Sequence, residues 1–394
     1  MIESHFKVLI VVTRGTVGGA QTSVFNLARQ LARSPQADVT VGSGEGEHLA
    51  LRCRAAGIEH VRFEYLRRSL NPIYAVRSIA EFVRHFNQEQ YDVVHINSSN
   101  ALFAALAAKL SKKKPWIVFT FRGLSLLDEH YEMSSLKRRL YIWIYRILLA
   151  FVDEPVFVSF ENFETATRMG LVKEGAGTVI YNGLDPEELV FEDRSEARQA
   201  LAELSGAKIT DETFLIGSIG RLAYQKNYEF LIDQIADLSG KHPLLKVVII
   251  GDGPLHKTIL GHIRREGLEQ IIYLPGEIPE ASRYMRGLDL FVLPSRYEGL
   301  SVTLIETLFA GVSVLASDVG GAREQFEQAP FQVYPLDNSE EFQKRLSRLI
   351  EHADVRAELA EANKNRANDF HISKTAAGYR SVYNEAHNTS RSQS

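Results

Sequence analysis

The chain has 394 residues, of which 45% are hydrophobic and 24% charged, and its formal net charge is −4. This length exceeds the roughly 250–300 residues at which a single hydrophobic core stops growing, so we expect two domains. The lack of a basic excess argues against a nucleic-acid partner, and a single cysteine, Cys53, fits a reducing cytoplasm.

The N-terminal half alternates short β-rich apolar runs with longer amphipathic segments, which is typical of βα units on a parallel sheet. The first unit is a strand at Lys7–Thr13, a loop at Arg14–Ala20 and a helix from about Gln21 to Ala32. Further strands are predicted at Asp92–Ile96, Trp116–Thr120, Val156–Ser159 and Thr178–Tyr181.

The first loop contains Gly15, Gly18 and Gly19 and opens directly into a helix. Its backbone N–H groups and the helix dipole can therefore face an anion, although a tight turn that needs glycine for packing is the alternative. The loop does not match G-x-G-x-x-G, and no clear acidic residue ends the second strand. A nicotinamide-dependent dehydrogenase is therefore disfavoured.

A basic and apolar stretch follows in the same half. Lys112–Lys114, and Lys137–Arg139 next to Leu140–Leu149, favour peripheral contact with an anionic membrane surface. A buried helix with a charged start, over Lys137–Val152, is the leading alternative. The longest apolar run, Leu140–Val152, is shorter than the about 20 residues of a spanning helix, so no transmembrane segment is expected.

A hinge is predicted between two series of βα units. The Asn182-Gly183 pair tolerates positive φ and Pro186 blocks helix continuation, so we place the boundary near residue 186. The second series of strands is predicted at Phe214–Ile219, Lys246–Ile250, Ile271–Leu274, Leu290–Leu293 and Val312–Ala316. The predicted domains are 1–186 and 187–372, followed by a last helix from about Ser373 to Ala386 and a tail in 373–394.

Two loops of the second half carry candidate anion-binding residues. Arg221 and Lys226 lie at the start of a helix, where cations oppose the helix dipole, so an anionic ligand such as a diphosphate would explain them. A solvated surface pair is the alternative. Gly251 and Gly253 follow an apolar strand, and ordinary turn chemistry explains them equally well.

The loop at Pro294–Ser301 is the most informative. Ser301 is a natural N-cap for the helix that follows. At 100° per residue Glu306 points away from the apolar stripe of that helix, so its carboxylate is not simply packed in the core. Glu298 and Glu306 can together accept hydrogen bonds from the hydroxyls of a sugar and a ribose. Surface charges are the alternative.

These residues together resemble the retaining, nucleotide-sugar-dependent glycosyltransferases called family 4, or group 1, over nearly the whole chain. The strongest match is an E-x7-E signature at Glu298 and Glu306, followed by the Ser-Asp-x-Gly-Gly segment at Ser317–Gly321. The resemblance implies an α/β protein of the GT-B fold. In this fold two Rossmann-like domains face each other across a cleft, and the C-terminal helix crosses back to the N-terminal domain.

The resemblance also implies roles for individual residues. Arg221 and Lys226 would bind the donor diphosphate, Glu298 would contact the transferred sugar, and Glu306 would bind the ribose. The remaining donor-binding residues would be Gly18, Gly19, Gly251, Gly253, Glu277, Ile278, Gly299, Leu300 and Ser301. The 1–186 domain would bind the acceptor and the 187–372 domain the donor.

One position departs from the family pattern. Members commonly carry histidine in a Thr-x-His-Gly sequence, whereas this chain has Arg122 in Thr120–Gly123. An arginine cannot act as a general base, but it can orient the sugar or stabilise the leaving phosphate, and an acceptor or surface contact is the alternative. His95 and Asn97 end a nearby strand, and we favour a structural role for His95.

The expected activity is transfer of a sugar with retention of configuration, from a UDP- or GDP-sugar to a hydroxyl of a saccharide or lipid-linked saccharide. We expect it to serve cell-surface polysaccharide or lipopolysaccharide synthesis in the cytoplasm, with contact to the inner membrane surface. No cofactor or metal is expected, because no His/Cys ligand cluster is present. A nucleotide-sugar epimerase of the same fold and a non-catalytic sugar-nucleotide-binding scaffold are the alternatives.

Overall fold

A computed structural model describes residues 5–69, 71–124 and 134–392. The chain divides into two compact units, unit 1 formed by Met1–Asp185 with Phe370–Ser394, and unit 2 formed by Pro186–Asp369. Each unit has a parallel sheet covered by helices on its faces, so the predicted pair of Rossmann-like α/β domains is confirmed.

Unit 1 is built on a sheet whose strands, within the described residues, have the order β3-β2-β1-β4-β5-β6-β7. Its strands are β1 (Phe6–Arg14), β2 (Ala37–Glu45), β3 (Glu59–Arg62), β4 (Val93–Ile96), β5 (Trp116–Phe121), β6 (Glu154–Phe157) and β7 (Thr178–Val179). Its helices are α1 (Gly19–Ala32), α2 (His48–Ala55), α3 (Pro72–Glu89), α4 (Phe103–Leu110), α5 (Ser135–Leu149) and α6 (Phe160–Arg168).

Strand β1 is apolar from Val8 to Val12 because both faces of the sheet are covered. Leu9 and Val11 belong to the core on one face, while Val8, Ile10 and Val12 belong to the core on the other. The second of these cores also contains residues of the chain's last helix, so the C-terminal segment completes unit 1.

Unit 2 has a sheet whose described strands have the order β10-β9-β8-β11-β12-β13. The strands are β8 (Phe214–Ile219), β9 (Leu245–Ile250), β10 (Ile272–Gly276), β11 (Leu290–Leu293), β12 (Val314–Ser317) and β13 (Val333–Tyr334). The helices are α7 (Arg194–Ser205), α8 (Tyr228–Ser239), α9 (His256–Arg265), α10 (Val302–Ala310), α11 (Ala322–Gln325), α12 (Ser339–Glu351) and α13 (Ala353–Ala367), and α14 (Ile372–Ser392) follows in unit 1.

Strands β2, β3 and β13 were not predicted from the sequence. Strand β2 contains Gly42 and Gly44, which normally disfavour strands. A Cβ at Gly42 would lie 2.6 Å from the Phe63 ring, and one at Gly44 would lie 1.9 Å from the Leu66 carbonyl oxygen. The glycines are therefore required by close packing, and they concealed the strand from pattern analysis.

Strand β2 ends on an acidic residue. Glu45 ends β2, so the statement that no acidic residue ends the second strand is wrong. A dehydrogenase is still disfavoured, because the loop after β1 lacks the G-x-G-x-x-G fingerprint.

Residues 370–372, assigned from sequence to the second domain, lie in unit 1. The Leu184 N–H donates to the Phe370 carbonyl and the Ile372 N–H donates to the Leu184 carbonyl, both at 2.9 Å. This short parallel pairing fixes the return of the chain, and α14 begins at Ile372 and continues to Ser392, beyond the predicted end near Ala386.

Candidate functional site

The loops of unit 2 that carry the predicted site residues all leave the carboxyl edge of its sheet. Strands β9 and β10 lie on one side of β8, and β11 to β13 lie on the other. The strand order therefore reverses between β8 and β11, and ligands of open α/β sheets bind at such a switch point. Arg221 and Lys226 follow β8, and Glu298 follows β11.

Lys226 and Glu298 form an ion pair at this point. The Lys226 Nζ donates to Glu298 Oε1 at 2.7 Å, and the Ser295 hydroxyl donates to the same oxygen at 2.7 Å. Both charged side chains are almost buried, with 13% and 11% of their surfaces exposed. Within the described residues Glu298 Oε2 accepts no hydrogen bond, so it is free to accept one from a ligand hydroxyl.

The loops after β8 and β11 are joined by several further contacts. The Arg296 N–H donates to the Gln225 carbonyl at 2.8 Å, and Gln225 Nε2 donates to the Tyr297 carbonyl at 3.0 Å. The Arg296 guanidinium lies 4.1 Å from the centre of the Tyr224 ring. These contacts preorganise the ion pair before any ligand binds.

The segment Ser317–Gly321 supports the turn that carries Glu298. Gly320 has φ of +56°, and a Cβ there would lie 2.4 Å from the Glu298 carbonyl oxygen. The Gly321 N–H donates to the Gly299 carbonyl at 2.7 Å, and the Ser317 hydroxyl donates to the Ser295 carbonyl. Gly320 therefore allows the backbone after β12 to lie directly against the turn.

Helix α10 begins at this turn, as predicted. The Ser301 hydroxyl accepts from the Leu304 N–H at 3.4 Å, and Gln325 Nε2 donates to the Ser301 carbonyl at 2.9 Å. Gly299 is half-buried, and Leu300 and Ser301 are buried. The first N–H groups of α10 lie beside Glu298 in sequence, where a helix N-terminus favours an anion.

Glu306 lies on α10 five residues after the cap. It is half-buried, while Leu304, Ile305 and Leu308 around it are buried. Burial raises the pKa of Glu306 to about 7, and a hydrogen bond with Ser282 opposes this rise. Glu306 is thus less buried than the apolar residues beside it, but its carboxyl group is less solvated than a surface charge.

The predicted placement of two cations at the start of a helix is wrong for Arg221, whereas Lys226 directly precedes Asn227, the N-cap residue of α8. Helix α8 begins at Tyr228, after a 3-10 turn at Tyr224–Lys226 and the left-handed Asn227. Lys226 is neutralised by Glu298 and does not oppose the helix dipole. Arg221 is exposed, and within the described residues its side chain has no ion pair or hydrogen bond, so it remains available for an anion.

Gly251 and Gly253 are explained by packing between two loops. A Cβ at Gly251, where φ is +142°, would lie 2.1 Å from the Gly220 carbonyl oxygen, and one at Gly253 would lie 2.4 Å from that of Leu222. The Leu222 N–H donates to the Asp252 carbonyl at 3.0 Å. Because neither glycine has a Cβ, the loop after β9 can lie directly against Gly220 and Leu222, the two neighbours of Arg221.

The other predicted donor-binding residues lie on separate elements. Glu277 is exposed and Ile278 half-buried, directly after β10. In unit 1, α1 begins at Gly19 and not at Gln21, and Gly18 precedes it without a side-chain cap. The first backbone N–H groups of α1 have no partner within the helix, so they can donate to an anion bound to unit 1.

Arg122 follows β5 at the carboxyl edge of the unit 1 sheet. Its Nε and Nη2 donate to Asn97 Oδ1 at 3.1 and 2.6 Å, and its Nη1 donates to Asn182 Oδ1. Burial lowers the pKa of Arg122. Within the described residues no carboxylate pairs with this guanidinium, and its hydrogen bonds go to neutral amide oxygens that leave its charge uncompensated.

His95 has a structural environment. Its Nε2 lies 2.7 Å from the Thr120 hydroxyl and its Nδ1 lies 2.7 Å from the Tyr383 hydroxyl. Burial, and secondarily Arg122, hold the pKa of His95 well below its ordinary value. The imidazole is therefore neutral and joins α14 to the centre of the sheet.

The supporting roles of Ser295, Ser282 and Asn182 were not predicted from the sequence. Asn182 was considered only as a hinge residue, yet its side chain accepts from Arg122. A serine three residues before a site glutamate was the one local signal that could have identified Ser295. Among the described residues no group of three His, Cys, Asp or Glu side chains could hold a metal ion, and no described helix is long and apolar enough to cross a membrane.

Comparison with known families gives one match in each half of the chain. Residues 17–188 match the family described as Glycosyltransferase Family 4. Residues 203–366 match the family described as Glycosyl transferases group 1. The first match begins after β1 and contains the other described strands of the unit 1 sheet, and the second contains the described strands of the unit 2 sheet.

Individual relatives and structures agree with these matches. The putative glycosyltransferase EpsF of Bacillus subtilis is 26% identical over 339 residues, which cover 81% of this chain and 80% of that protein. The O-antigen biosynthesis glycosyltransferase WclY of Escherichia coli is 23% identical over 308 residues, 75% of this chain and 80% of the other. The structure of Anabaena HepE in complex with UDP-glucose is similar with a TM-score of 0.78 at 22% identity, over 95% of this chain and 98% of that one.

Proposed function

We propose that this chain, which belongs to the family 4 and group 1 glycosyltransferases, transfers a sugar from a nucleotide-sugar donor to a hydroxyl of a saccharide acceptor. The observation that carries the proposal is the Lys226–Glu298 pair with Ser295, set at the switch point of the unit 2 sheet. A UDP-sugar is favoured among donors because the HepE structure contains UDP-glucose.

The charges of the site suit a diphosphate leaving group. Lys226 Nζ has three N–H groups and uses one on Glu298, which leaves two for a phosphate. Arg221 adds a second cation, and the N-terminus of α10 adds backbone amides. Together these groups would stabilise the charge that develops as the bond between the anomeric carbon and the phosphate oxygen breaks, without a metal ion.

We propose that the reaction retains configuration. The acceptor oxygen would bond to the anomeric carbon on the face that the phosphate leaves, and the acceptor proton would pass to the departing phosphate oxygen. Glu298 Oε2 would accept a hydrogen bond from the transferred sugar, and Glu306 would accept from the ribose hydroxyls. Arg122 would orient the sugar or stabilise the leaving phosphate by its unpaired charge.

We propose an acceptor in cell-surface polysaccharide or lipopolysaccharide synthesis. Support comes from WclY, a glycosyltransferase of O-antigen biosynthesis. Unit 1 would bind this acceptor, and a lipid-linked saccharide is the form that we would test first.

The test is calorimetric titration of UDP-, GDP- and ADP-sugars into the wild-type protein and the Glu306→Ala variant, in the presence of EDTA. We expect one donor to bind the wild type and to bind the variant at least tenfold more weakly. Equal binding to both proteins would contradict the assignment of Glu306, and no binding at all would contradict the donor site.

Product analysis of the donor that binds then separates the alternatives. An epimerase would change the sugar on its nucleotide without an acceptor, and a scaffold would leave it intact even with acceptors present. A transferase releases the nucleotide efficiently only when an acceptor is added, and analysis of the anomeric linkage tests retention.

A further inference from the structure

Helix α5 exposes a stripe of large apolar side chains to solvent. We define the α5 apolar face as Leu136, Leu140, Trp143, Ile144 and Ile147, all of which are exposed. Their spacing of four, three, one and three residues places them on one side of the helix. Trp143 has 61% of its surface exposed and Leu140 57%, and clustered apolar exposure of this kind marks an interaction surface.

The helix does not need this face for its own packing. Its opposite side carries Tyr145, Leu148 and Leu149, which are buried in the core of unit 1. The Tyr145 hydroxyl also lies 3.1 Å from the Ser99 hydroxyl, just after β4. Core packing therefore fixes α5 and leaves the apolar face toward solvent. The predicted alternative of a buried helix with a charged start, over Lys137–Val152, therefore holds only for the side that packs on the core.

The charge around the face identifies the kind of partner. Helix α5 contains Lys137, Arg138, Arg139 and Arg146 but no aspartate or glutamate. Lys137 and Arg139 are exposed, and within the described residues neither forms an ion pair. A second copy of the chain would place like charges against each other in a symmetric dimer. An anionic lipid surface complements both the apolar stripe and the cations.

We propose that α5 docks this protein on an anionic lipid bilayer. The apolar face would enter the boundary between head groups and acyl chains, and Lys137 and Arg139 would contact lipid phosphates. The helix lies in the surface because its 15 residues are fewer than the about 20 needed to span a bilayer. Lipid binding needs no sugar donor, so its test is independent of the proposed reaction.

The test measures co-sedimentation with vesicles of phosphatidylcholine alone or mixed with phosphatidylglycerol. The double variant Leu140→Ser with Ile147→Ser removes two side chains of the face. Its matched control is Leu51→Ser with Ile73→Ser, at two positions of unit 1 that are each 58% exposed. We expect the wild type and the control to bind the mixed vesicles equally, and the face variant to bind them at least tenfold more weakly.

Charge is tested by a second pair of variants. Lys137→Glu with Arg139→Glu should abolish the preference for mixed vesicles, whereas Lys208→Glu with Arg264→Glu, at exposed positions of unit 2, should keep it. Vesicles should also shift the tryptophan emission of the wild type to shorter wavelength, and Trp143→Phe should remove that shift. Circular dichroism confirms that each variant is folded.

Two results would overturn the proposal. One is a wild type that binds neither kind of vesicle, or face variants that bind as well as their controls. The other is a wild-type dimer in analytical ultracentrifugation that Leu140→Ser with Ile147→Ser makes monomeric without changing vesicle binding. The face would then join two copies of the chain.

Discussion

At the scale of single residues, Lys226 and Glu298 act as one unit. Each nearly buried side chain neutralises the other at 2.7 Å, and removal of one partner leaves an uncompensated charge in a poorly solvated place. Ser295 adds a hydrogen bond that fixes the Glu298 rotamer. The pair therefore presents the remaining Lys226 N–H groups and Glu298 Oε2 in defined positions.

The first prediction concerns this pair. We expect Glu298→Gln to lower kcat by about 10²–10³-fold, because the side chain no longer offers a charge to the reacting sugar and loses its ion pair with Lys226. The measurement is donor turnover with the acceptor found by screening. Glu280→Gln, at an exposed residue of the same unit, is the control, and equal losses in both variants would contradict a specific role for Glu298.

The second prediction follows from the pKa of about 7 at Glu306. In the proposed donor complex the ionised carboxylate would accept from the ribose hydroxyls, whereas the protonated form has less acceptor capacity. Donor affinity should therefore fall as pH decreases through about 7, by up to tenfold per pH unit. Calorimetry between pH 6 and 8 measures it, and a Glu306→Gln variant with the same pH profile as the wild type would contradict the prediction.

The raised pKa of Glu306 also makes the stability of the protein depend on pH. The folded-state pKa is raised above the ordinary 4.5, so the folded state binds more protons than the unfolded state between about 4.5 and 7. The contribution of Glu306 to the free energy of unfolding therefore falls as pH rises through this interval. We expect Glu306→Gln to be more stable than the wild type at pH 8 and to lose that advantage by pH 5, as measured by urea denaturation.

At the scale of elements, strands were predicted well where apolar runs are bounded by turn residues. β8 and β11 have the bounds predicted from sequence. Strand β2 was missed because Gly42 and Gly44 are set by contacts with Phe63 and the Leu66 carbonyl. Those contacts join residues far apart in sequence, and local patterns do not record them.

The same limit applied to the site. Sequence identified the loops that carry Arg221, Lys226 and Glu298, because each follows a strand. It did not identify the ion pair between Lys226 and Glu298, which places the lysine charge on a carboxylate instead of leaving it free. Nor did it show that Gly251 and Gly253 serve loop packing.

The third prediction tests the support of the Glu298 turn by the segment after β12. Gly320→Ala would place a Cβ 2.4 Å from the Glu298 carbonyl oxygen at a residue with φ of +56°. We expect lower thermal stability and at least tenfold weaker donor binding. Gly206→Ala is the matched control, because φ is +71° there and nothing lies within 4 Å.

This control separates backbone strain from displacement of the turn. Gly206→Ala should cost about 1 kcal/mol of stability through strain alone and leave donor affinity unchanged. Equal donor affinity in Gly320→Ala and Gly206→Ala would show that the contact between Gly320 and the turn is irrelevant to binding.

At the scale of the whole molecule, the chain leaves unit 1 at Asp185 and returns to it at Phe370. Ala376, Tyr379, Val382 and Tyr383 of α14 belong to the same core as Val8 and Ile10 of β1. The hydroxyls of Tyr379 and Thr120 are hydrogen-bonded at 2.9 Å, and the Tyr383 hydroxyl is hydrogen-bonded to His95 Nδ1. The first and last segments of the chain therefore stabilise one core together.

The last prediction follows from this closure of unit 1. Tyr383→Ala should destabilise the protein by about 3–5 kcal/mol, as expected when a large buried ring is removed. Tyr383→Phe should cost about 1–3 kcal/mol, because it keeps the ring and only leaves His95 Nδ1 without its partner. Hydrogen exchange should show lost protection in β1 and β4, more than 280 residues away along the chain, and unchanged protection in β8 and β9. If Tyr383→Ala instead weakened protection in β9 as much as in β1, α14 would not be the element that completes the core of unit 1.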